Sequence, residues 1–337
     1  MKKSRLLMLV LAVLAAALLI QQWHSWRKFQ WQLFREQISG VHALPVVLSL
    51  LLVYCGYLIR AWRWKIFLQP VRATTVWRLL SPTIIGFSGL ALLGRPGEMA
   101  RVYLIARRER LSVASQLAIW TIERVFDLCA FAILIGLAIS TAGDVRSLPY
   151  YDRFRAAGVL LLLIVLGLVG AGVILRRHGR RAIEYLERRY TSPAAGARSR
   201  LKNNVIGFCE GLEAVSGIPA FFSVATLSLV MWVLIALAYW EIIHAFPPPL
   251  SDLTMARVLM LIGFGMMGSL VQLPGVGASQ LVIVAVLVNV FDIPWEQAVS
   301  CGILLWLTTF MAPVPVGLAL LRHEHLSLRR LSHAETI

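Results

Sequence analysis

Eight apolar segments follow one another along the chain, and most of them are long enough to cross a bilayer. They lie at about 6–20, 44–68, 79–106, 116–141, 157–175, 219–246, 255–290 and 298–321. A membrane-spanning helix needs about 20 predominantly apolar residues. The third and seventh segments exceed that length and are interrupted in the middle by Pro96-Gly97 and Pro274-Gly275. The pattern predicts an all-α polytopic membrane protein with two broken segments.

The positive charges between the apolar segments predict how the chain is oriented in the membrane. Lys and Arg concentrate at the N-terminus, after the second segment, in the connection 176–218 and after the last segment. Connections 247–254 and 291–297 contain no Lys or Arg. Because cytoplasmic loops carry an excess of Lys and Arg, we expect both termini and the connection 176–218 in the cytoplasm. Residues 323–337 are then expected to form a cytoplasmic tail.

This orientation is consistent only if the third and seventh segments each return to the side from which they enter. A broken segment that returns is a re-entrant hairpin, which is tolerated at membrane depth where it is buried in protein or lines a wet cavity. The sequence therefore predicts about six transmembrane helices plus two oppositely oriented re-entrant helical hairpins. Residues 1–322 are expected to form a single membrane domain.

The two broken segments also resemble each other in sequence. Gly86-Phe87 precedes the first Pro-Gly pair and Gly263-Phe264 precedes the second, at nearly equal spacing. Two opposed, similar, broken elements indicate an inverted repeat with a binding site near the bilayer midplane, as in transporters. We therefore expect the two hairpin turns to approach each other in the bilayer interior.

Composition supports a membrane protein and changes the meaning of the net charge. Of the 337 residues, 58% are apolar and 15% are charged, and the formal net charge is +16. A soluble domain carries about a quarter charged residues. The Lys and Arg lie in short loops, where they set orientation and meet anionic lipid head groups, so we reject nucleic-acid binding. Four scattered cysteines form no CxxC pair, and no metal site or cofactor is expected.

Charged residues lie inside the first broken segment, in the stretch GRPGEMARVYLI at 94–105, which includes Arg95, Glu98 and Arg101. Pro96 suits the first turn of a helix, where its missing N–H does no harm. Glu98 then falls in that turn, where the helix dipole favours it, and Arg101 follows on about the same face. Charges at bilayer depth need partners or water, so these charges either hold the turn or face a ligand.

A second set of charges lies in the next apolar segment, in the stretch TIERVFDL. Glu123 and Asp127 are at i and i+4, so they share a helix face and repel each other unless a cation lies between them. Our hypothesis is that one of the two hairpin arginines inserts against Glu123 and Asp127, while Arg124 meets Glu98. Such a network can hold the fold or contact a substrate. Within it, we expect Glu98 to fix the hairpin and Arg101 to contact a ligand, because Arg101 lies closer to the basic residues that follow the segment.

Two amides flank the break in the second hairpin. Gln272 and Gln280 lie on either side of LPGVGAS, whose Pro274, Gly275 and Gly277 are expected to form the turn. Their side chains are candidates for hydrogen bonds to a polar head group.

Four stretches of the chain resemble the membrane domain of the lysylphosphatidylglycerol synthase family, whose members are also called flippase-like integral membrane proteins. These are GRPGEMARVYLI, IERVFDL, LPGVGASQ, and IRAWRWKIFL, which contains Arg60, Arg63 and Trp64. The resemblance extends over nearly the whole chain. It implies the translocating half of such proteins without their soluble synthase domain.

The resemblance and the residues together lead us to expect translocation of a lipid or isoprenoid-linked amphiphile across the bacterial inner membrane. The amphiphile is expected to be anionic, with Arg95, Arg101 and Arg124 as candidates to meet its phosphate, because arginine binds phosphate bidentately. The expected partner is thus an anionic phospholipid or an isoprenoid lipid. One alternative is a membrane-embedded lipid-modifying enzyme using Glu123 and Asp127, although the sequence carries no recognised catalytic motif. The other is an accessory assembly protein whose charged network is purely structural.

Overall fold

A computed structural model describes three continuous parts of the chain, residues 39–143, 217–268 and 278–323, with isolated helical positions at 32–39 and 152–170. All regular secondary structure in the described residues is helical. The predicted N-terminal segment, the basic connection up to residue 216 and the C-terminal tail beyond residue 323 lie outside the described residues.

The described residues form nine α-helices. They are α1 (Ala43–Leu68), α2 (Val76–Leu93), α3 (Arg95–Glu109), α4 (Val113–Thr141), α5 (Ile218–His244), α6 (Met255–Gly268), α7 (Ala278–Asn289), α8 (Trp295–Leu305) and α9 (Pro313–His323). A 3₁₀ turn at Leu250–Asp252 precedes α6, and a π-helical turn at Trp306–Phe310 separates α8 from α9. The predicted helical class is confirmed.

Four helical segments of the described residues are long and apolar enough to cross a bilayer. They are α1, α2, α5 and the continuous stretch Trp295–His323, which contains α8 and α9. Helices α6 and α7 are apolar but shorter. The chain is therefore a multi-pass membrane protein, and the predicted total of six spans stays a prediction.

Helices α1 and α5 form an antiparallel pair in the middle of the structure. Leu68, at the C-terminal end of α1, shares a buried cluster with Val224, near the N-terminal end of α5. Tyr57, in the middle of α1, shares another cluster with Ala238, in the C-terminal half of α5. The end of α1 therefore lies beside the start of α5.

Helices α2 and α3 pack closely as an antiparallel pair that is broken at Gly94. Gly94 has φ 74° and ψ −157°, a conformation that is essentially restricted to glycine. Gly86 faces Arg101 and Gly89 faces Gly97 across the pair. A Cβ atom on Gly86 or Gly89 would collide with the opposite helix, so the glycines set how closely the two backbones approach.

The α2–α3 pair begins and ends at the same end of the structure. The Thr74 hydroxyl, just before α2, donates a hydrogen bond of 2.9 Å to Oε1 of Glu109, the last residue of α3. Arg108 Nη1 donates to the carbonyl oxygen of Arg78, in the first turn of α2, at 2.7 Å. The start of α2 and the end of α3 therefore both lie beside the C-terminal end of α1.

Helices α6 and α7 form a second antiparallel pair. Gly265 faces Ile283 across this pair, and the Arg257 guanidinium lies 5.9 Å from the ring centroid of Phe291 near the base. This pair follows the C-terminal end of α5, whereas the first follows the C-terminal end of α1. Because α1 and α5 are antiparallel, the bases of the two pairs, where each pair begins and ends, lie at opposite ends of the structure.

The predicted turn of the second pair lies outside the described residues, which omit 269–277. The expectation that the two turns approach each other therefore stays a prediction. It concerns Gln272, Pro274, Gly275 and Gly277 of the second segment.

The break in the first pair lies two residues earlier than the sequence predicted. Pro96 and Gly97 were expected at the turn, but both belong to α3, and the chain reverses at Gly94. Pro96 occupies the first turn of α3, where a proline is tolerated. Gly97 serves the contact with Gly89 instead of the turn.

The repeated Gly-Phe dipeptides lie in different surroundings. Gly86 packs against the opposite helix of its own pair, whereas Gly263 packs against Phe131 and Ile135 of α4. In the second pair, Gly265 makes the contact between the two helices. The nearly equal spacing in the sequence therefore does not correspond to equivalent packing.

The segment predicted as a single last span is interrupted by the π-helical turn. Two carbonyl groups at the junction between the π-helical turn and α9 accept hydrogen bonds from side chains of other helices. The Tyr54 hydroxyl donates to the carbonyl oxygen of Ala312 at 2.7 Å, and the Ser88 hydroxyl donates to that of Pro313 at 2.7 Å. The interruption thereby joins α9 to α1 and α2.

We predict that Gly94→Ala destabilises the protein by about 1–3 kcal/mol, because alanine cannot adopt the Gly94 backbone conformation without strain. Thermal unfolding of the detergent-purified variant would measure this.

Gly136→Ala is the matched control. Gly136 lies in α4 with open space around the position of a Cβ atom. The same change there should leave the melting temperature unchanged or raise it slightly. Equal melting temperatures for the two variants would contradict the assignment of Gly94 as the obligatory turn residue.

Candidate functional site

Six charged side chains from α1, α3 and α4 form a cluster, which we call the buried network. Its members are Arg63, Glu98, Arg101, Glu123, Arg124 and Asp127. Five of them are buried, and only the side chain of Arg124 is partly exposed, at 31%. Three arginines face three carboxylates, so the network is formally neutral.

Glu123 is the centre of the buried network. Its carboxylate accepts from Arg63 Nη2 at 2.6 Å and from Arg101 Nη2 at 2.5 Å. It also accepts from Arg101 Nη1 at 3.3 Å and from Arg124 Nη2 at 3.2 Å. One carboxylate therefore joins α1, α3 and its own helix, α4.

Asp127 shares Arg63 with Glu123. Arg63 Nη1 donates to Asp127 Oδ1 at 2.5 Å, and it also donates to the Ser228 hydroxyl of α5 at 2.7 Å. Arg124 Nη2 approaches Asp127 Oδ2 to 3.1 Å. The fork of the Arg63 guanidinium thus spans the two carboxylates on one face of α4 and removes their mutual repulsion.

Glu98 lies at the edge of the network with looser ionic contacts. It accepts a hydrogen bond of 3.0 Å from the indole N–H of Trp120. Its carboxylate is 3.6 Å from Arg101 Nη2 and 3.8 Å from Arg124 Nη2. Glu98 therefore ties the first turn of α3 to α4.

Aromatic rings enclose Arg101 on its remaining faces. Its guanidinium carbon lies 4.4 Å from the ring centroid of Trp64 and 5.3 Å from that of Phe87. Trp64 is itself fixed by a hydrogen bond of 3.0 Å from its indole N–H to Gln116 Oε1. These contacts hold Arg101 within the protein, on a ring surface that favours cations.

The structure brings together most of the charged residues that the sequence singled out. Arg101 reaches Glu123, and Arg124 lies within 4 Å of Glu98, as the pairing hypothesis required. The predicted partner of Asp127 was wrong, because Arg63 takes the place expected of a hairpin arginine.

The two remaining candidates that the structure describes lie elsewhere. Arg95 is exposed at the start of α3. Gln280 is buried near the start of α7, where it accepts a hydrogen bond of 2.6 Å from the Ser279 hydroxyl. Gln272 lies outside the described residues.

Sequence reasoning counted Arg63 among the cytoplasmic charges that follow the second segment and noted its place in a family-like stretch, whereas the structure places it buried within α1. A signal was available, since Arg60 and Arg63 lie three residues apart inside an apolar segment. Charges within a membrane helix call for a partner, and the paired carboxylates at positions 123 and 127 needed one.

Among the described residues, no group of three or more His, Cys, Asp and Glu side chains is arranged to hold a metal ion. The three carboxylates of the buried network each face guanidinium groups instead.

We predict that Glu123→Gln destabilises the protein by about 3–5 kcal/mol, because it leaves buried arginines without their shared carboxylate. Glu98→Gln should cost clearly less, since a glutamine can still accept from Trp120 and the ionic contacts of Glu98 are longer. Thermal unfolding of both purified variants compares them directly. Equal losses would show that Glu123 is not the centre of the network.

A comparison with known protein families identifies the family of this chain. The chain matches the family described as "Lysylphosphatidylglycerol synthase TM region" over residues 6–317. No curated protein and no solved structure matches the chain. Because the match covers most of the 337 residues, this protein belongs to the lysylphosphatidylglycerol synthase transmembrane-region family.

Proposed function

We propose that this protein translocates a lipid or isoprenoid-linked amphiphile with an anionic head group across the bacterial inner membrane. The observation that carries the proposal is the presence of two antiparallel helix pairs, α2–α3 and α6–α7, whose bases lie at opposite ends of the structure. Opposed broken elements of this kind form the substrate sites of many transporters, with the site between them. Membership of a family associated with lipid synthesis supports a lipid as the substrate.

We interpret both helix pairs as re-entrant hairpins of an inverted repeat, in a domain of six spans. Helix α2 has 18 residues, α3 has 15, α6 has 14 and α7 has 12. At 1.5 Å per residue these helices are about 18–27 Å long, whereas the hydrocarbon core is about 30 Å thick. A pair whose base lies at the membrane surface would therefore end within the bilayer.

The charged residues of the first hairpin lie at a depth that suits a path for a head group. Arg101 precedes the end of α3 by eight residues, or about 12 Å, and Glu123 follows the start of α4 by ten residues, or about 15 Å. Half the thickness of the hydrocarbon core is about 15 Å. The buried network thus supports the backbone of the hairpin near the level that a translocated head group must pass.

The burial of Arg101 favours a structural role over the phosphate contact that the sequence suggested. Its side chain is fully buried and its guanidinium nitrogens contact Glu123 and Glu98. Arg124 is the member of the network with exposed surface, so it keeps the possibility of ligand contact.

An apolar groove between α1 and α5 suits the acyl chains of such a substrate. It is open on one side and has a volume of about 390 Å³. Trp62, Ile66, Phe222 and Leu227 line it together with two small hydroxyl side chains. Trp62 and Leu227 directly precede Arg63 and Ser228, so the groove lies on another face of the same two helices that contribute Arg63 and Ser228.

The same contacts support transport over lipid modification. A general acid or base needs a carboxylate that can exchange protons with a substrate. Glu123 and Asp127 are instead buried and held by arginines on α1, α3 and α4. We therefore propose that the protein has no catalytic centre among these residues.

Reconstitution into vesicles tests the function. Purified protein should move labelled phosphatidylglycerol between leaflets, and the mass of the lipid should stay unchanged. Protein-free vesicles and vesicles with labelled phosphatidylcholine are the controls. A change in the mass of the lipid would support the enzyme alternative, and a leaflet distribution equal to that of protein-free vesicles would overturn the proposal.

Cysteine accessibility tests the proposed orientation. In a cysteine-free background, Ala195→Cys should resist a membrane-impermeant thiol reagent added to intact cells, because the basic connection is expected in the cytoplasm. Asp252→Cys is the matched control, since Asp252 is exposed in the turn before α6 and should react from outside. Labelling at residue 195 together with protection at residue 252 would show that the orientation is the reverse of the one proposed.

A further inference from the structure

Arg60 is a fourth arginine beside the buried network, and no carboxylate among the described residues forms an ion pair with it. It lies in α1, three residues before Arg63, and close enough to Asp127 and Arg124 to interact with their charges. In the described part of the chain it forms no ion pair and no hydrogen bond, whereas Arg63 and Arg124 take both oxygens of Asp127. Adding Arg60 to the neutral network leaves one net positive charge.

The Arg60 guanidinium is held by aromatic rings. Its central carbon lies 4.7 Å from the ring centroid of Phe87 and 5.6 Å from that of Tyr57. Its Nε atom is buried without a hydrogen-bond partner, while the residue as a whole is only half-buried. The rings therefore fix the position of the cation and leave its terminal donors open to a ligand.

The side chain points toward the middle of the helix. Arg60 Nη1 lies 3.5 Å from the position that a Cβ atom of Gly56 would occupy, one turn toward the N-terminus. Gly56 is at the midpoint of the 26-residue helix α1. This is the usual direction of a helical side chain, because Cα–Cβ bonds tilt toward the N-terminus, and it brings the terminal donors closer to the midpoint of α1 than the Arg60 backbone.

We propose, as an extension of the proposed function, that Arg60 binds the phosphate diester of the translocated amphiphile at mid-membrane. An unpaired cation at this depth is costly, and an anionic ligand would supply the missing countercharge. A guanidinium fixed on rings offers two parallel N–H groups to phosphate oxygens.

Selective binding of lipid tests this site. The probe is phosphatidylglycerol added to the purified protein in phosphatidylcholine nanodiscs, with the bound lipid counted by native mass spectrometry. Arg60→Gln should weaken binding of phosphatidylglycerol roughly tenfold or more, because a hydrogen-bonded charge contact is lost. Lys65→Gln removes one positive charge from the same helix and should leave binding unchanged. Unchanged binding in Arg60→Gln, or an equal loss in Lys65→Gln, would overturn the proposal.

A second measurement on the unmodified protein guards against failure of Arg60→Gln to fold. Phosphatidylglycerol with a photoreactive head group should crosslink to α1 near Gly56. Crosslinks confined to other helices would overturn the site. Inorganic phosphate at the same concentration as the lipid should not displace it, and displacement would show that the site takes a free anion.

The binding test separates this inference from the proposed function. Binding of phosphatidylglycerol through Arg60 without movement between leaflets would refute translocation and leave the site in place. Movement between leaflets that Arg60→Gln does not slow, with unchanged lipid binding, would refute the site and leave translocation in place.

Discussion

The carboxylate of Glu123 is the contact on which the first half of the structure depends. It gathers Arg63 of α1, Arg101 of α3 and Arg124 of its own helix. In hydrocarbon, where neither water nor salt screens a charge, such a group is tolerated only with its countercharges in direct contact. A broken helix pair has few other means of fixing its position among apolar helices, because lipid chains are as apolar as leucine. The ionic contacts therefore provide the directional bonds that hydrophobic packing cannot.

The glycines of α2 and α3 make this ionic arrangement possible. Arg101 lies directly opposite Gly86, where the Cβ atom of any larger residue would collide with the arginine backbone. Gly317 of α9 similarly lets that helix approach Ser88 on the other side of α2. Small residues at such crossings allow backbones in a membrane to approach closely. Close packing on one face of the hairpin and ion pairs on the other together define one position for it.

Much of this arrangement could be predicted from the sequence, because hydrocarbon leaves few choices. Runs of apolar residues gave the helices, and the i, i+4 spacing of Glu123 and Asp127 required a cation between them. The identity of that cation could not be predicted, since several arginines could reach the same height in the bilayer. Only the tertiary structure, which brings Arg63 of α1 into contact with Asp127, selects Arg63.

The position of the turn was missed because several neighbouring residues could each have ended the helix. Proline and glycine both tend to interrupt helices, and three such residues, Gly94, Pro96 and Gly97, lie within four consecutive positions. Which of them adopts the positive φ depends on where α3 must begin for Arg101 to reach Glu123. That requirement is tertiary, and no short stretch of sequence contains it.

Arg60 and Arg63 show how one helix can separate two uses of the same side chain. They are three residues apart on α1, yet Arg63 meets the carboxylates of α4 and Arg60 lies on aromatic rings. Pairing of Arg63 neutralises the network and fixes the hairpin, so its charge is unavailable to a substrate. Rings attract a cation without neutralising it, so the charge of Arg60 still acts on its surroundings. Among the described residues Arg60 therefore keeps a positive charge that an anionic ligand would balance, while the charges of its neighbours already balance one another.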